Sequence, residues 1–320
     1  MRITRFFIAP ILAAFSAMAA DTALLNMIMA DARFVAGIDI DRAKATPMGK
    51  KLIEELDKKD SDIAKFVAAT GFDPRRDLRE VIMASNDLNS KKSPGLILLR
   101  GSFDASKIKA FINVTGAGKI ENFNGIEMIS APNQENMSAA LVDPSLVLVG
   151  SSETVKAAVQ RKGATTAAMP ADAFAQIRAL SQSNDIWMVS TMPIAEMTKA
   201  MPSTGAGNNG GGGMGGMMNG DVFKGIQQAA FGVRFMADVI ELTAETVSLN
   251  EKDATAMADV IRFVSTMVQM NRDKPEMKGF ATALDAMKLT TDAKTTRLQI
   301  ALPMGDMEKM ISSKKPAVKI

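Results

Sequence analysis

The sequence predicts an α+β protein built from two diverged tandem repeats, with mostly antiparallel sheets and helices packed on one face. Three observations carry that expectation. In the stretch 95–112 an apolar run, 96–99, enters the turn Gly101-Ser102-Phe103, and Asp104 then caps a helix with Ile108, Phe111 and Ile112 on one stripe. Two strand pairs turn through Asp143-Pro144-Ser145 and Asp292-Ala293-Lys294, residue types suited to tight reversals. The order strand, helix, strand, strand, helix, hairpin, helix then occurs twice, over 31–163 and 183–312. Short links between strands favour antiparallel pairing.

The first repeat follows an apolar lead-in, 22–30. Phe34, Ala36, Ile38 and Ile40 alternate with less apolar positions and mark a strand. Thr46 caps the next helix, with Pro47 at its first position and Met48, Leu52, Ile53 and Leu56 as its buried stripe. A turn at 71–77 feeds a second strand, and the 95–112 unit supplies the third strand and its helix. Strand 127–130 and the hairpin at Asp143 follow, and Ser151-Ser152 caps a helix buried through Val155, Ala158 and Val159.

The second repeat opens, after a short helix at 171–180, with the strand 185–190. Helix 193–201 leads into a low-complexity loop, 202–220, rich in Gly and Met. Strand 229–236 comes next. Ile240, Leu242 and Ala244 alternate with Glu241, Thr243 and Glu245, the pattern of a strand with one wet face. Asn250 caps a helix striped by Met257, Val260, Ile261, Val264, Met267 and Val268. A helix at 280–287, the hairpin at Asp292 and a final helix with Met304, Met307 and Ile311 inward complete the repeat.

Composition narrows the chemistry. The 320 residues include no Cys, no His and no Tyr, so disulfides, thiolate nucleophiles and Cys-based zinc sites are excluded. The usual neutral-pH base and the commonest transition-metal ligand are missing too. Arg2 and Arg5 precede the apolar run 6–15, and Ala17-Met18-Ala19 has the spacing of a cleavage site, so 1–19 is expected to be a signal peptide. The run is shorter than the ~20 residues a membrane span needs, and Pro10 interrupts it. Without Cys no lipoprotein anchor forms. Removing the leader takes two positive charges from a formal +3. Basic residues are scattered and aromatics amount to 5%, so nucleic acid is not an expected partner. The expected location is periplasmic or extracellular, with no transmembrane segment after cleavage.

Motifs of catalysis are mostly missing. Ser312 and Lys315 match S-x-x-K without its companion motifs. The segment 115–120 has the outline of a phosphate loop, but Asn113 stands in place of the first Gly and Ile120 in place of the magnesium-holding hydroxyl. It reads as a turn between helix and strand. Asp39 and Asp41 share a strand end, and Asp57, Asp60 and Asp62 crowd one helix, without the EF-hand spacing. Met214, Met217 and Met218 place soft thioethers in a Gly-rich loop, a chemistry that suits Cu(I). The chain carries 25 Met, however, most at core spacing.

The turn Gly71-Phe72-Asp73-Pro74-Arg75-Arg76-Asp77-Leu78 before a strand, following an export signal and set in tandem α+β halves, resembles a group of exported bacterial proteins of unknown function. The resemblance implies a duplicated extracytoplasmic fold and supplies no catalytic, cofactor or metal residues. The leading expectation is an exported, non-catalytic binding or envelope-associated protein without a cofactor, its contact surface a sheet face or the cleft between halves. Lipid, peptide and envelope protein are the partner classes left open. A hydrolase using carboxylates or Ser/Lys, and a Met-loop Cu(I) binder, are the alternatives.

Overall fold

Among the described residues twelve strands, most with apolar residues on alternate positions, pair into one antiparallel sheet, and the connections between them hold the helices. A computed structural model describes residues 22–51, 67–87, 95–131, 136–192, 221–274 and 281–305. The leader 1–19 and the segment 202–220 lie outside these residues. The strands are β1 (Phe34–Asp39), β2 (Leu78–Ser85), β3 (Gly95–Gly101), β4 (Lys119–Phe123), β5 (Ile126–Ser130), β6 (Met137–Asp143) and β7 (Leu146–Ser151) in the first half. In the second half they are β8 (Ile186–Ser190), β9 (Ile226–Phe235), β10 (Val239–Ser248), β11 (Lys288–Asp292) and β12 (Thr295–Pro303). The helices are α1 (Thr22–Leu25), α2 (Ile40–Ala45), α3 (Pro74–Asp77), α4 (Ala105–Thr115), α5 (Ser152–Gln160), α6 (Ala171–Ser183), α7 (Asp221–Lys224) and α8 (Glu251–Met270). Residues 47–51, 67–70 and 281–285 are also helical.

The strand order is β11-β12-β10-β9-β8-β1-β2-β3-β7-β6-β5-β4. In the first half β1, β2 and β3 pair in chain order, and β7 of the β6–β7 hairpin returns beside β3. In the second half β8, β9 and β10 pair in chain order, and β12 of the β11–β12 hairpin returns beside β10. The halves meet where β1 and β8 pair antiparallel, with Ala36 opposite Met188 at the centre. At the end of β3 the Gly101 N–H donates to the Ser145 carbonyl in the hairpin turn at 3.0 Å; at the end of β10 the Ser248 N–H donates to the Lys294 carbonyl at 2.8 Å. Asp104 then caps α4 by accepting from the Lys107 N–H, and Asn250 caps α8 by accepting from the Asp253 N–H.

The α+β class and antiparallel pairing agree with the sequence reading. The expected single helical face is instead divided between two. On one face α1, α5 and α6 bury Val35, Ile82, Leu98, Leu148 and Trp187 in the main core. On the other, Lys109 of α4 reaches Glu127 at 3.0 Å, and Thr296, paired with Thr246, donates to the Ala254 carbonyl of α8 at 2.9 Å. The reason lies in the crossovers. The link after β3 and the link after β10 pass on one side of the sheet, whereas the links after β7 pass on the other, and sequence periodicity does not record a side.

Two further expectations change. The lead-in is part of the core: Leu24, Leu25, Met27, Ile28 and Met29 are buried, held by Asn26 donating to the Ala164 carbonyl at 2.8 Å and Arg161 Nη2 to the Met27 carbonyl at 2.7 Å. The α8 stripe holds at Met257, which is buried, and at Val260, Ile261, Val264 and Val268, which are half-buried, but Met267 is exposed and the other buried positions are Ala254, Ala258 and Ser265. Small residues let this helix sit close to the sheet.

Candidate functional site

The sequence-level candidates for catalysis do not converge among the described residues. Asp39 caps α2 through the Arg42 N–H at 2.9 Å and pairs with Arg42 Nε at 2.8 Å, while Asp41 is exposed on the helix. Asp57, Asp60, Asp62, Ser312, Lys315, Met214, Met217 and Met218 lie outside the described residues. Thr115 ends α4, Gly116 closes it in the left-handed conformation, and β4 begins at Lys119, so 115–120 is a helix-to-strand turn. No group of three acidic side chains that could hold a metal occurs among the described residues.

The turn 71–78 forms one wall of an open groove of about 680 Å3, facing Ser102, Phe103 and Lys107. Phe72 and Phe103 stack with centroids 4.9 Å apart. Asp73 caps α3 and holds Arg75; Arg76 forks onto both Asp77 oxygens at 2.7 Å and onto the Gly71 carbonyl at 2.8 Å. The Arg76 side chain holds Asp77 below the ordinary carboxylate range, and Asp77 in turn raises Arg76. Lys107 lies 3.7 Å from Asp104. Each charge in the groove is matched by a neighbour, so the turn serves to dock β2 on the β3–α4 corner.

The Asp39–Arg42–Asp185 cluster, buried at Asp185 and half-buried at Asp39 and Arg42, joins the halves. The Arg42 guanidinium reaches Asp185 at 3.3 Å and donates to the carbonyls of Ser181, Gln182 and Asn184 at the end of α6. Asp185 accepts from the Phe235 N–H at 2.6 Å. Burial pushes the Asp185 carboxyl up, opposed by that N–H and by Arg42. This too is structural, because the acids are separated by a cation that also seals a helix end.

The remaining feature is the second sheet face. Paired residues share a face, so the register defines rows across the sheet. From the β4 edge one row runs Ile120, Ile129, Ala139, Val149, Ile97 and Met83. Past the midline it continues Ala36, Met188, Phe231, Ala244, Leu298 and Leu289. Every position is apolar over all twelve strands, a width of roughly 50 Å. None is buried, and Met83 is 41% exposed. A second row holds Leu99, Val81, Ile38, Ile186, Val233 and Leu242, all half-buried. From β5 to β8 the opposite face behaves differently: Met128, Ala140, Leu148, Leu98, Ile82 and Trp187 are fully packed. Among the described residues, helices on the apolar face sit at its ends, α4 beside β5 and the 47–51, α8 and 281–285 helices beside β9, β10 and β12.

No single motif marks this surface. Its signal was the alternation at Phe34, Ala36 and Ile38, which periodicity alone assigns to a core.

No family model and no curated protein matches the chain. Among solved structures, crystal form I of TP0453 is similar over 90% of this chain and 96% of that one, at 10% identity and a TM-score of 0.48. Crystal forms III and IV of the same protein give 10% identity and TM-scores of 0.49, again over 90% of this chain and 97% and 96% of theirs. At that identity and score nothing is carried over from the likeness.

Proposed function

We propose that this chain is exported through a cleaved signal and acts, in the periplasm or outside the cell, as a non-catalytic binding module that holds an apolar ligand on the long sheet face. The observation that carries the reading is the twelve-strand apolar row from Ile120 to Leu289, in which no position is fully buried and Met83, near the middle, is exposed. An antiparallel sheet that keeps one face toward water ordinarily makes it polar. Apolar area left in water forgoes roughly 25 cal/mol per Å2, and extended patches mark sites of contact. The basic and apolar leader with its Ala17-x-Ala19 site supports export.

We also read 31–163 and 183–312 as two copies of one unit. The shared strand order, the matched bonds from Gly101 and Ser248 to the hairpin turns, and the antiparallel β1–β8 junction support it. Such a junction resembles the isologous contact of a twofold dimer, here within one chain. Fusion in that arrangement makes the apolar rows of both copies continuous.

Two measurements test the reading. N-terminal sequencing of protein recovered from the producing cell's envelope is expected to begin at Ala20; a chain beginning at Met1 would remove export by cleavage. The mature chain is also expected to bind N-phenyl-1-naphthylamine with enhanced fluorescence. Met188→Asp, at the centre of the face, should weaken that binding by about tenfold or more. Gln299→Asp, exposed on the opposite face, should leave it unchanged. Equal behaviour of the two variants, or no binding by the parent chain, overturns the proposal.

A further inference from the structure

Resting on that reading, we infer that the ligand is a long-chain monocarboxylate whose headgroup is held by Arg79, with its chain laid over Val81 and Met83. Arg79 is the extra residue of a bulge: Leu78 lies opposite Gly101 and Glu80 opposite Arg100, with Arg79 between. Glu80 and Arg100 face each other at 3.8 Å, on the side of the buried Ile82 and Leu98. The bulge sets Leu78 and Arg79 together opposite Gly101, which alternates from Arg100 to the side of Leu99 and Ile97, so Arg79 shares the apolar face with Val81 and Met83.

The charge at this point is available. Arg42 is engaged by Asp39, Arg75 by Asp73, Arg76 by Asp77 and Arg100 by Glu80. Arg79 is exposed and pairs with no carboxylate among the described residues. Among the described residues of β1, β2, β3, β8 and β9 it is also the one charged side chain on this face. Lys44 Nζ, donating to the Leu78 carbonyl at 2.7 Å, adds a second positive charge beside the Arg79 peptide. A guanidinium fork presents two parallel donors and matches a carboxylate in shape and charge. From Arg79 the strand runs roughly 20 Å to Ser85, where the face turns polar. A cation at one end of an apolar track is the complement of a fatty acid.

Displacement of N-phenyl-1-naphthylamine from the mature chain separates the possibilities, with palmitate, hexadecanol and dipalmitoylphosphatidylglycerol as competitors. Palmitate is expected to compete about tenfold better than hexadecanol, as a charge-assisted hydrogen bond implies. Arg79→Gln should erase that preference without lowering the melting temperature, and Arg79→Lys should restore part of it. Equal competition by acid and alcohol, with a silent Arg79→Gln, overturns the carboxylate site and leaves the apolar surface standing. Arg79-dependent competition by the phospholipid that exceeds palmitate also overturns it. A chain that fails to bind the naphthylamine probe at all removes both the site and the function on which it rests.

Discussion

Replacing Gly37 by valine is expected to destabilise the protein by about 3 kcal/mol or more, because overpacking of a closed core costs about 1–3 kcal/mol even where neighbours can adjust. Gly37 pairs with Trp187 on one side and Ile82 on the other. The indole lies where a Cβ at Gly37 would be, with its six-membered ring and Nε1 both in contact range. Trp187 is only 2% exposed, and Ile82 and Leu98 in the same core are fully buried. The ring has nowhere to retreat. It also sits at the junction of the two halves, so expelling it would loosen β1 from β8. As the chain's only tryptophan, it reports its own displacement. Urea unfolding followed by tryptophan emission should give an earlier midpoint and a red-shifted folded baseline for Gly37→Val. Gly305→Ala, where a Cβ would meet nothing, is the control and should behave as the parent. An unchanged midpoint in Gly37→Val would show that the indole is not held as described.

That glycine illustrates where reading from sequence succeeds and where it stops. Local chemistry was readable. Asp104, Ser151 and Asn250 cap the helices their positions suggested, and the turns at Asp143 and Asp292 reverse the chain between paired strands. Each of these depends on residues within three or four positions of one another. Facing was not readable. In β1 the alternation of Phe34, Ala36 and Ile38 points to a buried side, yet Val35 and Gly37 are the buried positions. Periodicity separates two faces of a strand without saying which one meets the core. Here the second strand of the junction decides, by placing a large ring over a residue that has no side chain.

The same limit explains β4, whose residues Lys119, Glu121 and Asn122 are exposed, so it has too little apolar pattern to announce an edge strand. It explains the candidate surface as well. Ala36, Met188 and Phe231 are far apart in sequence and become one row only through the register of β1, β8 and β9. Arg79 looked like one of several scattered basic residues until the bulge and the pairing of its neighbours singled it out.

Arg42→Ala should cost about 2–4 kcal/mol at neutral pH, somewhat less than the ~3–5 kcal/mol of stranding one member of a buried pair because Arg42 itself is partly exposed. Its loss frees the carbonyls of Ser181, Gln182 and Asn184 and leaves the Asp185 carboxylate, 6% exposed, without its cation. The pH dependence separates these two effects. Burial already raises the Asp185 carboxyl, the Phe235 N–H and Arg42 oppose that rise, and removing Arg42 lets it rise further. A carboxyl raised in the folded state holds its proton there after the unfolded chain has released its own. Stability therefore falls as pH climbs from the ordinary carboxylate value through the raised one, and is regained on acidification. The deficit of Arg42→Ala relative to the parent should thus be largest near pH 7 and shrink between about pH 6 and 4. Adding Asp185→Asn, which keeps an oxygen for the Phe235 N–H but no charge, should recover most of the loss at neutral pH and flatten its pH dependence. Urea midpoints of the parent, the single variants and the double variant across that range measure both effects. A deficit that is constant with pH and unaffected by Asp185→Asn would assign the role of Arg42 to the α6 carbonyls alone.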